Sequence, residues 1–302
     1  MPKLLLLAQD LDQYLALLKA ALPDLEIVTA PAVECDLAFG SPSLLKDVIP
    51  LLTRLKWIQS TSAGVEPLLD PALPRNYILT NARGVFGPLM SEYIFGYLLL
   101  YERYILKHLE SQKENRWNGL PTGILRGKTI GLMGVGSIGA HVAGTAKYFG
   151  MTVRGFTRAS EGCADVDTYF HADLPAFATG LDYLINILPN TRETRQLIDA
   201  SVLAALPAHA LFLNVGRGSA VDESALAEAL AQSRLRGAVL DVFKQEPLPP
   251  DHIFWRTPNL IITSHTAAPS FPKDIADIFI ENYRRFARGE ALKYQVDFER
   301  GY

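Results

Sequence analysis

The sequence predicts an α/β protein built from two units, each a parallel β-sheet covered by helices on both faces. Short apolar strands alternate with amphipathic helices from residue 3 onward. The alternation pauses at a long helical stretch and a Gly- and Pro-rich connection, then restarts. The restart carries a glycine-rich turn between a strand and a helix. A chain of 302 residues has room for two such units with a core each.

In the first unit, "KLLLLA" reads as a strand, and "LDQYLALLKAAL" has its apolar residues at helical spacing. The runs "LEIVTA", "CDLAFG", "LKWIQS" and "NYILTN" follow, each bounded by Pro, Gly, Asp or Asn. One long helix is predicted from about Leu89 to Lys113, and "RWNGLPTGILRGK" reads as connection. The second unit begins at "KTIGLMGVGSIG", with further strands at "TVRGF", "YLINIL", "ALFLNV", "RGAVLDVF" and "NLIITS". Helices are predicted at "AHVAGTAKYF", "TRQLIDASVLAAL" and "DESALAEALAQSR", and a last one around "DIADIFIENYRRFARGE". The tail "ALKYQVDFERGY" is expected to dock, so that the chain crosses the domain boundary twice.

Composition removes several functions. With 29 basic and 32 acidic side chains the net charge is −3, which gives no reason to expect nucleic acid or an anionic membrane as partner. Cys35 and Cys163 are the only cysteines and form neither a disulfide framework nor a CxxC metal or redox site. The apolar run near the N-terminus is too short for a signal peptide, and Tyr93–Leu100 falls far short of the roughly 20 residues of a membrane span. A soluble, cytoplasmic protein is expected.

The turn Gly134-x-Gly136-x-x-Gly139 follows an apolar strand and opens a helix, the context in which GxGxxG points to a dinucleotide. Gly134 permits the tight turn, Gly136 lets backbone approach a pyrophosphate, and Gly139 allows close helix–strand packing. About 20 residues on, where an NAD site carries an acid for the ribose hydroxyls, this chain has Thr157-Arg158 after Phe156. A hydroxyl and a guanidinium there suit a 2′-phosphate, so NADPH is favoured over NADH. Arg154, three residues before Thr157, is expected to point elsewhere because side chains alternate along the strand.

Sites in open parallel sheets lie beyond the carboxyl ends of the strands. Arg217 follows "ALFLNVG", Glu246 follows "GAVLDVFKQ" and His265 follows "NLIITS". Together they suit reduction of a 2-keto acid. Arg217 offers parallel N–H donors to the carboxylate and the adjacent oxygen. Gly216 and Gly218 are expected to leave clearance for substrate and cofactor. His265 can serve as general acid in reduction and general base in oxidation. Glu246 would hold the other ring nitrogen, fixing the tautomer and stabilising the imidazolium. No metal is required.

On "GLMGVGSIG", "LPNTRETRQLID", "LFLNVGRGSAVDESAL", "GAVLDVFKQEPLP" and "SHTAAPS", in this order and spacing, the chain resembles the D-isomer-specific 2-hydroxyacid dehydrogenase family over essentially its whole length. Within the family it is most similar to the glyoxylate/hydroxypyruvate reductase A type, through Thr157-Arg158, "QEPLPPDHIFWRTPNL" and "QVDFERGY". The resemblance implies two Rossmann-like domains, a nucleotide-binding domain at 102–284 inserted into a flavodoxin-like substrate domain of 1–101 and 285–302. It implies Arg217 as the substrate-binding arginine, Glu246 as the orienting acid and His265 as the acid/base. Val135, Ser137 and Ile138 would join the three glycines around the cofactor, with Leu188, Pro189, Asn190 and Thr191 on the nicotinamide side and Asp241 near the carboxamide. Val215, Gly216, Ala267 and Ala268 complete that implied set. Ser62, Ala63 and Gly64 would help hold the carboxylate, while Glu66, where many relatives carry Asp, would act on loop anchoring. Trp57 reads as core, and Trp117 and Trp255 as candidates to wall a cleft that closes over substrate. The implied assembly is a homodimer through the nucleotide domains, with the helix at 90–113 in the contact.

The expected reaction is NADPH-dependent reduction of glyoxylate to glycolate and hydroxypyruvate to D-glycerate. A reductase for bulkier acids such as phenylpyruvate or branched keto acids is the alternative within the enzymes. A non-catalytic NAD(P)-sensing regulator would be marked by loss of Arg217, Glu246 or His265, and all three are present.

Overall fold

The computed structural model describes residues 2–158 and 161–302. Among these residues the chain runs β1 (Lys3–Leu7), α1 (Leu11–Ala21), β2 (Glu26–Val28), β3 (Leu37–Gly40), α2 (Pro42–Lys46), β4 (Trp57–Ser60) and β5 (Ile78–Thr80). It continues through α3 (Phe86–Glu102), α4 (Ile105–Lys113), β6 (Thr129–Met133), α5 (Ser137–Tyr148), β7 (Thr152–Phe156) and β8 (Thr168–Phe170). Then come α6 (Leu174–Ala178), β9 (Tyr183–Asn186), α7 (Ala200–Ala205), β10 (Leu211–Asn214), α8 (Glu223–Ala231), β11 (Gly237–Leu240), β12 (Leu260–Ile262) and α9 (Pro272–Ala287). No helix among them is long and apolar enough to cross a membrane.

Two compact units result, residues 1–85 with 270–302 and residues 86–269. The expected boundaries at 101/102 and 284/285 fall inside α3 and α9. Each helix keeps its i→i−4 ladder whole within one unit, so the divisions lie at or just before the helix starts.

The first unit is a five-stranded parallel sheet in the order β2-β1-β3-β4-β5. Its reversal at β1/β3 gives the flavodoxin-like order. Strand side chains alternate between two cores. Leu5, Ala38, Ile58 and Leu79 pack with Leu45 and Leu68 on one face. On the other, Phe279 of α9 stacks on Phe39 and Trp57, and Tyr14 of α1 meets Phe39 edge-on. Trp57 is thus core, as its place in "LKWIQS" suggests, and its indole N–H donates to Thr80 (2.7 Å). The tail docks as well, with Val296 buried and its N–H bonded to the Leu79 carbonyl (2.8 Å).

The second unit is a seven-stranded parallel sheet in the order β12-β11-β10-β9-β6-β7-β8. From β6 outward this is the doubly wound order, reversing between β6 and β9. One core joins Leu184, Phe212 and Ala238 to α6, α7 and α8, and the other joins Ile130, Ile185, Leu213 and Val239 to α3 and α5. β8 and the short α6 were not visible in the sequence pattern. The helix expected across "TRQLIDASVLAAL" shrinks to α7, capped by Asp199 through the Ser201 and Val202 N–H groups. Arg154 is engaged elsewhere, donating to the Thr179 carbonyl at the end of α6 (2.7 Å).

The single helix expected over 89–113 is two, because Tyr104 takes a left-handed φ of 50°. Arg236 holds the break: its Nη2 donates to the Tyr101 carbonyl (2.7 Å), and its Nη1 meets the buried Glu102 carboxylate (2.5 Å). Lys128 approaches the other carboxylate oxygen at 3.3 Å. Burial alone would push the Glu102 carboxyl up, but the Arg236 hydrogen bond and the two cations hold it below the usual carboxylate range. Glu102→Gln should therefore cost about 3 kcal/mol in urea unfolding at pH 7, the low end for a broken buried pair, since both cations keep contact with water. The native value is depressed, so this stabilisation is full above the ordinary carboxylate range. It fades as pH falls through the lowered native value, and the gap between wild type and variant should close there.

Candidate active site

β6 delivers the glycine turn. Gly134 has φ of 101°, which only glycine adopts without strain. A Cβ on Gly139 would lie 2.2 Å from the Gly134 carbonyl oxygen, so the first turn of α5 packs directly onto the loop. A Cβ on Gly136 would meet nothing within 4 Å. Gly136 is also the N-cap of α5 and supplies no side-chain acceptor, so the N–H groups of Ser137, Ile138 and Gly139 face an open cradle at the positive end of a helix. This fits a pyrophosphate.

Thr157 and Arg158 follow β7 directly. The Thr157 N–H bonds to the Phe170 carbonyl (3.0 Å), and its carbonyl is met by His171 Nδ1 (2.8 Å). His171 in turn faces Glu161 (2.5 Å), and these two bonds raise the imidazole above its ordinary range. The residue after Phe156 is a threonine and brings no carboxylate.

The ends of β9 and β10 are stapled by two buried asparagines. Asn186 Nδ2 donates to Asn214 Oδ1 (2.8 Å), which also accepts the Gly216 N–H (3.2 Å), while Asn214 Nδ2 donates to the Arg217 carbonyl (3.1 Å). Asn186 Oδ1 accepts the Leu188 N–H (3.3 Å), and Ser219 donates to Asn190 (3.0 Å). The loops Leu188–Thr191 and Val215–Gly218 thus form one rigid rim. The sequence signal of this staple is an Asn ending each of two apolar strands.

The glycines flanking Arg217 do something other than expected. A Cβ on Gly216 would stand 2.8 Å from Leu188 N and O, and one on Gly218 would stand 1.9 Å from the Phe243 carbonyl carbon. Their clearance is taken up by neighbouring backbone, which corrects the reading of them as room for ligands. Arg217 itself is extended (φ −142°) and half-buried, with Nη1 donating to the Gly216 carbonyl (2.8 Å).

Glu246 and His265 are brought together. His265 Nδ1 lies 2.8 Å from Glu246 Oε2, and Glu246 Oε1 accepts the Phe243 N–H (2.9 Å). The carboxylate is fixed at one end and grips the imidazole with the other, so Nε2 is the ring nitrogen that Glu246 does not hold. His265 has φ of 56°, a left-handed conformation that costs a non-glycine residue on the order of 1–3 kcal/mol. Asp241 is buried beneath this loop, and its carboxylate accepts the N–H groups of Thr266 (2.8 Å) and Ala267 (3.0 Å). Trp255 is half exposed, with its indole N–H on the Pro249 carbonyl of its own loop (2.8 Å).

In the first unit, the Ser62 carbonyl accepts the Ala82 N–H (3.1 Å) and the Ala63 carbonyl accepts Asn81 Nδ2 (2.8 Å). In a trans peptide the next N–H points the opposite way, so the Ala63 and Gly64 N–H groups face away from these partners.

Residues 95–267 match the D-isomer specific 2-hydroxyacid dehydrogenase NAD-binding domain family. The chain is 34% identical to the glyoxylate/hydroxypyruvate reductase A of Klebsiella pneumoniae over 82% of each chain. Among solved structures, it is similar to a D-isomer specific 2-hydroxyacid dehydrogenase family protein of Aeromonas salmonicida (TM-score 0.92, 44% identity, 98% and 99% coverage). It is also similar to an NADPH-dependent glyoxylate/hydroxypyruvate reductase of Sinorhizobium meliloti, solved with NADP and sulfate (TM-score 0.90, 29% identity, full coverage of both).

Proposed function

The chain belongs to the D-isomer-specific 2-hydroxyacid dehydrogenase family, and we propose that it reduces glyoxylate and hydroxypyruvate with NADPH. The observation that carries this is the Glu246–His265 pair at the carboxyl ends of the same sheet that bears the GxGxxG cradle and Arg217. When bound, NADPH would supply the hydride. Gly134–Gly139 would hold its pyrophosphate, Thr157 and Arg158 its 2′-phosphate, and the rim of Leu188–Thr191, Val215 and Gly216 its nicotinamide side, with Asp241, Ala267 and Ala268 toward the carboxamide. Arg217 would bind the keto-acid carboxylate through its planar fork. His265 gives its Nε2 proton to the carbonyl oxygen, and Glu246 holds Nδ1 through the change of charge. Trp255 limits the size of the side chain accepted.

Support for NADPH comes from the non-acidic end of β7 and from relatives solved with NADP. Thr157→Asp should turn the preference. Repulsion of the 2′-phosphate should cut kcat/KM for NADPH by at least about 10-fold while NADH turnover holds or rises. An unchanged NADPH/NADH ratio would place the phosphate elsewhere. The protein is further proposed to form a homodimer through the second unit. Ile105, Leu106 and Leu109 make an exposed apolar row on α4, and Trp117 beyond it is fully exposed. Light scattering of the purified protein should give twice the chain mass.

A further inference from the structure

Two hydroxyl side chains in the second unit have no part in the chemistry described above. Tyr93 on α3 and Thr263, just after β12, lie 170 residues apart in sequence, yet their hydroxyl oxygens are 2.6 Å apart. Thr263 Oγ1 donates to Asp241 Oδ1 (2.6 Å). A threonine hydroxyl has one proton, and it is spent on the carboxylate, so Tyr93 must be the donor to Thr263. Burial pushes the Tyr93 phenol above its ordinary range, so it keeps the proton that this requires. Among the described residues, the donors to the Asp241 carboxylate come from Thr263–Ala267, the segment that carries His265, and the His265 N–H bonds to the Asp241 carbonyl (2.8 Å).

We propose that Tyr93 and Thr263 are positioning residues for the acid/base: with Asp241 they form a relay that clamps the His265 loop in its left-handed conformation. This rests on the reductase reading and extends it. His265 and Thr266 are exposed, and the imidazole has its own tether in Glu246. The Glu246 bond fixes the ring to the segment after β11, whereas the relay fixes the His265 backbone to Asp241 and α3. A proton donor displaced by about 1 Å loses on the order of 10²-fold in rate, which sets the scale of the effect.

The test is steady-state kinetics of wild type, Thr263→Val, Thr263→Ser and Tyr93→Phe on hydroxypyruvate, with NADPH affinity from fluorescence titration. Thr263→Val keeps shape and loses the hydroxyl. Its kcat should fall about 10- to 100-fold, with KM and NADPH Kd within about threefold of wild type. Thr263→Ser should recover most of the rate, and Tyr93→Phe should lose about three- to tenfold. Unchanged kcat in Thr263→Val overturns the proposal, and so does a loss that Ser does not rescue or that appears equally in NADPH Kd. If Thr263→Val does not fold, Tyr93→Phe decides: a selective loss of kcat supports the relay and wild-type turnover overturns it. A wild type that fails to reduce hydroxypyruvate removes the reductase reading and the relay together, whereas an active wild type with an unaffected Thr263→Val removes the relay alone.

Discussion

His265→Ala is expected to lower kcat for hydroxypyruvate by about 10²- to 10⁴-fold, the usual worth of a positioned general acid. The carbonyl oxygen gains negative charge as hydride arrives, and water cannot match a donor held in place by Glu246 at 2.8 Å. NADPH affinity should stay within a few-fold, because the pyrophosphate and ribose contacts belong to the ends of β6 and β7. His265→Gln, which offers a hydrogen bond but no proton, should sit near the Ala variant. Turnover at the wild-type rate in either would remove His265 from the chemistry.

Arg217→Lys ranks second. The guanidinium presents two parallel donors and a fixed plane, and a lysine offers one compact charge on a flexible stem. Losing one charge-assisted hydrogen bond of about 1.5–3 kcal/mol corresponds to roughly 10- to 10²-fold in kcat/KM. The backbone around Arg217 is held by Asn214 and leaves no Cβ room at Gly216 or Gly218, so the loop cannot shift to compensate. The loss should appear as a raised KM together with a lowered kcat. A change confined to NADPH binding would assign Arg217 to the cofactor instead.

Much of this was legible in the sequence because it is local. A GxGxxG between strand and helix reports its own backbone geometry, and Thr157-Arg158 sits at a fixed distance beyond it. Arg217, Glu246 and His265 each follow an apolar run, and their shared position at strand ends needs only the strand pattern. What escaped depends on contacts between distant segments. The room at Gly216 and Gly218 is filled by Leu188 and Phe243, which no spacing rule reveals. The break at Tyr104 is set by Arg236, more than a hundred residues later, against a sequence that reads as one continuous helix. β8 was hidden because "TYF" is three residues long and only partly buried at a sheet edge. The Tyr93–Thr263 bond joins two residues that look unremarkable alone.

The most direct test of the account is a two-cofactor assay on hydroxypyruvate with the product resolved by chiral chromatography. The expected result is stoichiometric D-glycerate, with kcat/KM for NADPH at least about 10-fold above NADH and both lost in His265→Ala. Formation of L-glycerate, a higher kcat/KM with NADH, or turnover that survives in His265→Ala would contradict it.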